Sequence, residues 1–157
     1  IKKPVYEPVK VYELLYDCLE TVRARFNVCS PALEGKLAAV NDVVAVFDRY
    51  QIAEVVNNIL INAAQAVSPG GEGAVTLLAG AGDGELKIHV TDNGDGIHPD
   101  DIDKLFEPFF TRKSKGTGLG LTICKELVSL HDGSIEIESE KGKGTCVTVT
   151  LPLSPNR

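Results

Sequence analysis

Apolar residues recur at helical spacing in three segments of this chain, and each segment predicts an amphipathic helix. The segments are residues 14–26, 52–67 and about 117–131. Asp48 precedes the second segment and is placed to cap it, and the Ser-Pro-Gly-Gly run at 68–71 ends it. In the third segment we expect one apolar side, made of Leu119, Ile123, Leu127 and Leu130. A short helix is expected near Asp100–Leu105.

Alternation of apolar and polar residues predicts the strands. In the clearest one, at 85–92, Leu86, Ile88 and Val90 alternate with Lys87 and His89. Residues 28–47 are predicted as a hairpin or an irregular strand pair, with 43–47 the stronger strand. The remaining strands are expected within residues 4–11, 74–80, 135–137 and 147–151. The last two form an antiparallel pair.

This order of helices and strands predicts an α+β fold. We expect a two-layer α/β sandwich, in which a mixed, mostly antiparallel sheet is covered on one face by about three helices. At 157 residues, of which 43% are hydrophobic, the chain is long enough for one domain with its own core, about residues 5–152.

Charge and composition narrow the partners of this domain. The net charge of −6 makes duplex nucleic acid an unexpected partner. No apolar run has the length of a membrane span and no signal peptide begins the sequence, so we expect a cytoplasmic domain without direct membrane contact. The start at Ile1 indicates a fragment or a processed product. The four cysteines, at 18, 29, 124 and 146, form no CxxC pair and are expected to be reduced.

Polar side chains share one face of the second predicted helix. Glu54, Asn58, Asn62 and Gln65 are three or four residues apart and therefore lie on one side. A solvated helix face would explain them as well, although asparagine is a poor helix former. The carbonyl oxygen of asparagine is a suitable hard ligand for Mg²⁺, so this face is also a candidate metal site.

Glycine-rich signatures follow that helix in the sequence. They are Asp92-x-Gly94-x-Gly96, then Gly116-Thr117-Gly118-Leu119-Gly120-Leu121, and then Gly142-x-Gly144-Thr145. Each signature alone is compatible with ordinary turns or a flexible hinge. The second one leads into a helix, where free backbone amides form a natural anion site.

The order of these signatures resembles the N, G1, G2 and G3 boxes of the catalytic ATP-binding domain of sensor histidine kinases. The Phe-Glu-Pro-Phe-Phe-Thr run at 106–111 resembles the F box of the same domain. The resemblance covers roughly residues 5–152 and implies the Bergerat fold, which is shared with gyrase, Hsp90 and MutL. The box spacing is most similar to that of nitrogen-regulatory and oxygen-sensing kinases with a short lid.

The resemblance implies roles for individual residues in a Mg-ATP site. Asn62 would hold Mg²⁺ and Asn58 would support the metal or the phosphates, whereas Gln65 stands where many kinases carry a phosphate-binding lysine. Asp92 would accept a hydrogen bond from the adenine 6-amino group, which a guanine carbonyl cannot donate. Thr145 would place a hydroxyl near the adenine. The loop residues Gly94, Gly96 and Ile97 would contact the base.

The phosphates would be held by the second glycine signature and a lid. The implied phosphate-site residues are Gly116, Thr117, Gly118, Leu119, Gly120 and Leu121, with the two leucine side chains in the core. Lys113 would neutralise phosphate charge in the transition state, although a solvated basic loop is the competing interpretation. Phe106, Phe109 and Phe110 are expected to anchor the lid by packing.

The reaction depends on what stands at position 58. ATPases of this superfamily resemble one another in placing there a glutamate that activates water, and Asn58 cannot accept that proton. We therefore expect transfer of the γ-phosphate to a histidine on a separate dimerisation hairpin, which is missing here, and then relay to a response regulator. A slow ATPase or a non-catalytic nucleotide sensor is the alternative. The three histidines are interpreted as surface or structural residues; they are His89, His98 and His131.

Overall fold

The computed structural model describes residues 2–26, 32–67, 73–107 and 120–155. Within these ranges the strands are β1 (Glu7–Lys10), β2 (Ala32–Lys36), β3 (Val44–Phe47), β4 (Ala74–Gly82), β5 (Glu85–Asp92), β6 (Ser134–Glu140) and β7 (Gly144–Pro152). The α-helices are α1 (Val11–Phe26), α2 (Arg49–Ala66), α3 (Pro99–Ile102) and α4 (Gly120–Leu130). A short 3-10 helix, Ala38–Val40, precedes β3.

The main sheet has five strands in the order β2-β4-β5-β7-β6. All its neighbours pair antiparallel except β2 and β4, which are parallel. The predicted mixed, mostly antiparallel sheet is therefore confirmed. The final antiparallel pair is also confirmed, as β6 and β7.

The predicted pairing of residues 28–47 is wrong. The strand β3 pairs antiparallel with β1 in a separate two-stranded sheet, whereas β2 pairs in parallel with β4. A parallel pair needs a long crossover between its strands, and β3 with α2 provides it here. The two strands of the expected hairpin thus belong to different sheets.

The long helices α1, α2 and α4 pack on one face of the main sheet, as predicted. Alternate residues of the central strands point into this layer, so that Leu77 is fully buried and Leu78 is 44% exposed. The buried residues of α2 are Ile52, Val55, Val56, Ile59, Leu60, Ala63 and Ala64. They form the middle of one continuous hydrophobic core.

The apolar side of α4 differs from the prediction. Its buried residues are Cys124, Leu127 and Val128, whereas Leu130 is 40% exposed at the end of the helix. Leu121, expected in the core, is half-buried and outside the buried cluster. The reason is that α4 contacts α2 and the sheet mainly through its middle turns.

Asp48 caps α2, as predicted, and also binds the amino-terminal segment. Its Oδ1 accepts hydrogen bonds from the amides of Tyr50 and Gln51, both at 3.0 Å, and its Oδ2 accepts from the amide of Val5 at 2.8 Å. The amide of Asp48 in turn donates to Nε2 of the buried His131, at 3.1 Å. One residue thus joins the start of α2 to residues near both ends of the chain.

The histidines have structural or surface positions, as expected. Nδ1 of His131 lies 2.8 Å from the carbonyl oxygen of Leu127 and donates to it, because a carbonyl only accepts. His98 caps α3, and His89 contacts the Thr148 hydroxyl at 2.9 Å. Cys18, Cys124 and Cys146 are free thiols, whereas Cys29 lies outside the described residues. None of the helices in the described ranges combines the length and the apolar character needed to cross a membrane.

Candidate functional site

The polar face of α2 is present as predicted. Glu54 and Gln65 are exposed, while Asn58 and Asn62 are half-buried. Successive residues of a helix are separated by about 100°, so residues four apart lie almost above one another. The two asparagine side chains are therefore neighbours at the border between the core and the surface, where a carboxamide can meet a ligand.

Asn58 is in contact with the first turns of α4. The Cys124 thiol donates to the carbonyl oxygen of Val55 at 3.6 Å, and Asn58 makes a side-chain hydrogen bond to the same sulfur. Because the thiol has given its proton to Val55, its sulfur is the acceptor for the Asn58 amide nitrogen. The carbonyl oxygen of Asn58 is then the end of the amide directed away from Cys124.

The Cys124 thiol is kept neutral by its surroundings. Burial raises its pKa, the hydrogen bond from Asn58 opposes this, and the charge of Glu54 adds to the rise, so that the pKa reaches about 12. A protonated thiol is a constant partner for Asn58 at physiological pH.

Asp92 and Thr145 face one another across two strands. Asp92 ends β5, and the register of β5 with β7 places it directly opposite Thr145. The two residues are 7% and 9% exposed, respectively. Directly opposed residues in an antiparallel pair project their side chains from the same face of the sheet. Asp92 Oδ1 also accepts a hydrogen bond from the amide of Gly94 at 2.9 Å, which turns the chain back after the strand.

Close backbone contacts explain three of the glycines. A Cβ atom on Gly94 would collide with the carbonyl oxygen of Ala66, one on Gly96 with that of Glu140, and one on Gly144 with that of Asp92. The loop after β5 is thus pressed against the last turn of α2 and against the β6–β7 turn. Ala66 lies one helical turn beyond Asn62 on the same face, so the Asn62 and Asp92 predictions refer to one region.

Ser139 of β6 belongs to this region and was missed by the sequence reasoning. Its hydroxyl accepts from the amide of Ile97 at 2.8 Å, donates to the carbonyl oxygen of Gly144 at 3.0 Å, and lies 2.8 Å from the hydroxyl of Thr145. The available signal was the spacing of the last hairpin, because a turn at 140–144 makes Ser139 and Thr145 a cross-strand pair.

The segments that flank residues 108–119 are joined to each other. The Thr122 hydroxyl donates to the carbonyl oxygen of Phe106 at 2.8 Å, and Lys125 Nζ lies 5.1 Å from the centre of the Phe106 ring. Phe106 is thus held by α4. Gly120 and Leu121 form the half-buried start of α4. The other predicted residues of this region lie outside the described residues: Phe109, Phe110, Lys113, Gly116, Thr117, Gly118 and Leu119.

An open groove of about 740 Å³ lies elsewhere, between α1, β2 and the 3-10 helix. Tyr12, Tyr16, Arg23 and Leu78 are among its lining residues, and the groove shares no residue with the candidate site. Its position gives no reason to move the site away from α2 and the loop after β5.

Comparison with known proteins agrees with this geometry. The chain belongs to the family of histidine kinase-, DNA gyrase B- and HSP90-like ATPases, whose family model matches residues 47–155. The fold and the positions of the glycine loops fit that membership, and the predicted family resemblance is confirmed. The similarity to nitrogen-regulatory and oxygen-sensing kinases in particular stays a prediction.

The relatives of this chain are named as sensor kinases. It is 34% identical over 149 residues to sporulation kinase D of Bacillus subtilis, covering 95% of this chain and 29% of the relative. It is 39% identical over 110 residues to the sensor histidine kinase ZraS of Escherichia coli, covering 70% of this chain and 23% of the relative. The chain thus spans less than a third of these two curated relatives.

A solved structure extends the likeness over the whole domain. The mycobacterial sensor histidine kinase MprB superposes with a TM-score of 0.80 at 30% identity. The match covers 97% of this chain and 100% of the MprB chain.

Proposed function

We propose that this domain binds Mg-ATP and donates the γ-phosphate to a histidine on a separate dimerisation hairpin, for relay to an aspartate on a response regulator. The proposal rests on membership in the ATPase family and on relatives named as sensor histidine kinases. The observation that carries it is that Asn58 and Asn62, half-buried on one face of α2, adjoin the loop that follows Asp92.

The donor chemistry of α2 fits Mg²⁺. A small hard ion that keeps several waters and shares nucleotide phosphates needs only one or two protein oxygens, and a neutral carboxamide supplies one. Asn62 would be the protein ligand, and Asn58 would support the ion or the phosphates. When bound, the ion would neutralise phosphate charge and orient the γ-phosphate.

The adenine would lie beside Asp92 and Thr145. A carboxylate accepts the hydrogen bond of an exocyclic amino group, and desolvation makes a mismatched pair costly. The bare backbone of Gly94 and Gly96, with Ile97, would allow the flat base to approach the loop closely.

The phosphates would lie near the start of α4. Free amides at a helix amino terminus attract anions, and glycines leave them accessible, so Gly116 to Leu121 would cradle the phosphate oxygens. Lys113 would neutralise charge that develops in the transition state. Since Asn58 cannot act as a general base toward water, these groups favour transfer to a histidine over hydrolysis.

Titration calorimetry with ATP, ADP and GTP, each with and without Mg²⁺, tests the binding. We expect Asn62→Ala to lose at least about tenfold in affinity for ATP when Mg²⁺ is present and little when it is absent, because one metal ligand is removed. Asn57→Ala is a matched control, since Asn57 belongs to the same helix but its carbonyl oxygen is buried and lacks a partner in the described ranges. Equal metal dependence in Asn62→Ala and the parent would remove Asn62 from the site.

Phosphotransfer is tested by adding the parent's dimerisation hairpin to the domain with radiolabelled ATP. The proposal expects label on the hairpin histidine and negligible steady-state hydrolysis by the domain alone. Rapid hydrolysis without the hairpin, or binding that never labels it, would contradict the transfer reaction.

A further inference from the structure

The Ser139 hydroxyl has more partners than it has protons. Three groups surround its oxygen: the Ile97 amide, the Gly144 carbonyl oxygen and the Thr145 hydroxyl. The amide only donates and the carbonyl only accepts, so both of these bonds have a fixed direction. The single Ser139 proton is directed to Gly144, and the Ile97 proton occupies one lone pair of the oxygen.

The bond between the two hydroxyls then has one consistent direction. Ser139 has no second proton to donate, so Thr145 donates to Ser139. The Thr145 oxygen retains its lone pairs but has no proton for a ligand. It is the cross-strand neighbour of Asp92, whose ionised carboxylate also accepts only.

We propose that Ser139 is a positioning residue that sets the hydrogen-bond polarity of the nucleobase pocket. By taking up the Thr145 proton, it makes Thr145 an acceptor beside the Asp92 carboxylate, so that the pocket selects a purine with an amino group at position 6 over one with a 6-oxo group. This inference rests on the proposed nucleotide function. Ser139 acts through Thr145 and does not itself contact the base.

A second effect of Ser139 is separable from the first. Its bond from the Ile97 amide holds the loop after β5 against β6. Loss of that bond weakens every purine nucleotide alike, because it disturbs the loop whatever the group at position 6. The ratio of two affinities therefore reports Thr145 polarity, whereas their common change reports the loop.

The test compares ATP with inosine triphosphate, which differs in carrying an oxo group at position 6. Calorimetric affinities are measured for the parent chain, Ser139→Ala and Ser139→Thr. We expect Ser139→Ala to lower the ATP-to-inosine triphosphate ratio by roughly three- to tenfold, the value of about one hydrogen bond, because the released Thr145 hydroxyl can rotate and donate to the oxo group. Ser139→Thr retains the hydroxyl and should keep the parental ratio.

Thr145→Val provides an independent measurement if Ser139→Ala folds poorly. It removes the acceptor without touching the Ile97 contact and should lower the ratio by itself. In that background, adding Ser139→Ala should leave the ratio unchanged, since the residue through which Ser139 acts is gone.

The outcomes separate this inference from the proposed function. An unchanged ratio in Ser139→Ala or in Thr145→Val, with selective ATP binding by the parent, overturns the role of Ser139 and leaves the nucleotide site standing. An equal loss for both nucleotides shows that Ser139 only supports the loop and overturns the inference as well. Failure of the parent chain to bind either nucleotide instead refutes the proposed function.

Discussion

The Asp48 carboxylate shows how one residue can hold separate parts of the chain together. Burial alone would raise its pKa, but hydrogen bonds from the amides of Val5, Gln51 and Tyr50, with an electrostatic contribution from His131, outweigh burial and hold the pKa below its usual value. A group with a lowered pKa stabilises the folded state above its unfolded pKa, about 3.9, and loses that contribution as the pH falls through the folded pKa.

Asp48→Ala should therefore lower the free energy of unfolding at pH 7 by about 1–2 kcal/mol, the usual cost of losing a helix cap. Asp48→Asn keeps a capping oxygen and should cost less. Urea unfolding at about pH 6 and about pH 3 should show a larger acid loss for the parent than for Asp48→Asn. An equal acid loss in both proteins would show that the Asp48 carboxylate does not contribute to the pH dependence.

Individual site residues were predictable from the sequence to different degrees. The spacing of Asn58 and Asn62 placed them on one helix face, and the glycines beside Asp92 indicated a tight backbone loop. The role of Ser139 was not visible, because a serine in an alternating strand is typical of a solvent-facing position. Its three partners are five, six and 42 positions away along the chain, and only the folded sheet brings them together.

At the scale of elements, the loop after β5 is fixed by its contacts with α2 and the β6–β7 turn. Gly96 has a φ of +73° and faces the Glu140 carbonyl oxygen. Gly84 has nearly the same φ, +78°, but a methyl group there would meet no atom of the described residues within 4 Å. The pair separates the backbone strain of a left-handed residue from the cost of a collision.

Gly84→Ala should cost about 1–2 kcal/mol of unfolding free energy, from the backbone conformation alone. Gly96→Ala should cost more and should also weaken ATP binding, because the loop must move away from β6. Thermal unfolding and calorimetry on both variants measure this. If the two substitutions had the same effect on stability and on ATP affinity, the loop contact would have no role in the site.

Elements with local patterns were predicted well, and those that depend on distant pairing were not. The alternation in β5 and the apolar stripe of α2 each lie within one element, so the sequence carries the signal directly. The partner of β2 is β4, where Ala32 pairs with Ala74, and nothing in residues 32–36 distinguishes that pairing from a hairpin with β3.

On the scale of the whole molecule, two buried thiols report whether the helical layer opens as one unit. Burial, with the charge of Asp17, raises the pKa of Cys18 to about 12, and the pKa of Cys124 is also about 12. Cys18 contacts the Ala53 carbonyl oxygen of α2 at 3.9 Å, and Cys124 contacts that of Val55 at 3.6 Å. The two thiols thus lie between α2 and the helices on its two sides.

Alkylation at about pH 8 should modify the half-buried Cys146 in the native protein and modify Cys18 and Cys124 more than about a hundredfold more slowly, because the reactive thiolate is scarce and covered. In increasing urea, the two buried thiols should become reactive with one midpoint, as followed by mass spectrometry of each peptide. Earlier reaction of Cys124 would show that α4 detaches before α1.

Arg23 closes an edge of the main sheet that would otherwise be open. Its Nε and Nη2 both donate to the carbonyl oxygen of Leu33 on β2, at 3.1 and 2.5 Å. A terminal strand with unsatisfied backbone groups is a template on which another molecule can add a strand. The guanidinium therefore acts as a guard against chain-to-chain association, and the domain can be crowded at high concentration without forming extended β-assemblies from that side.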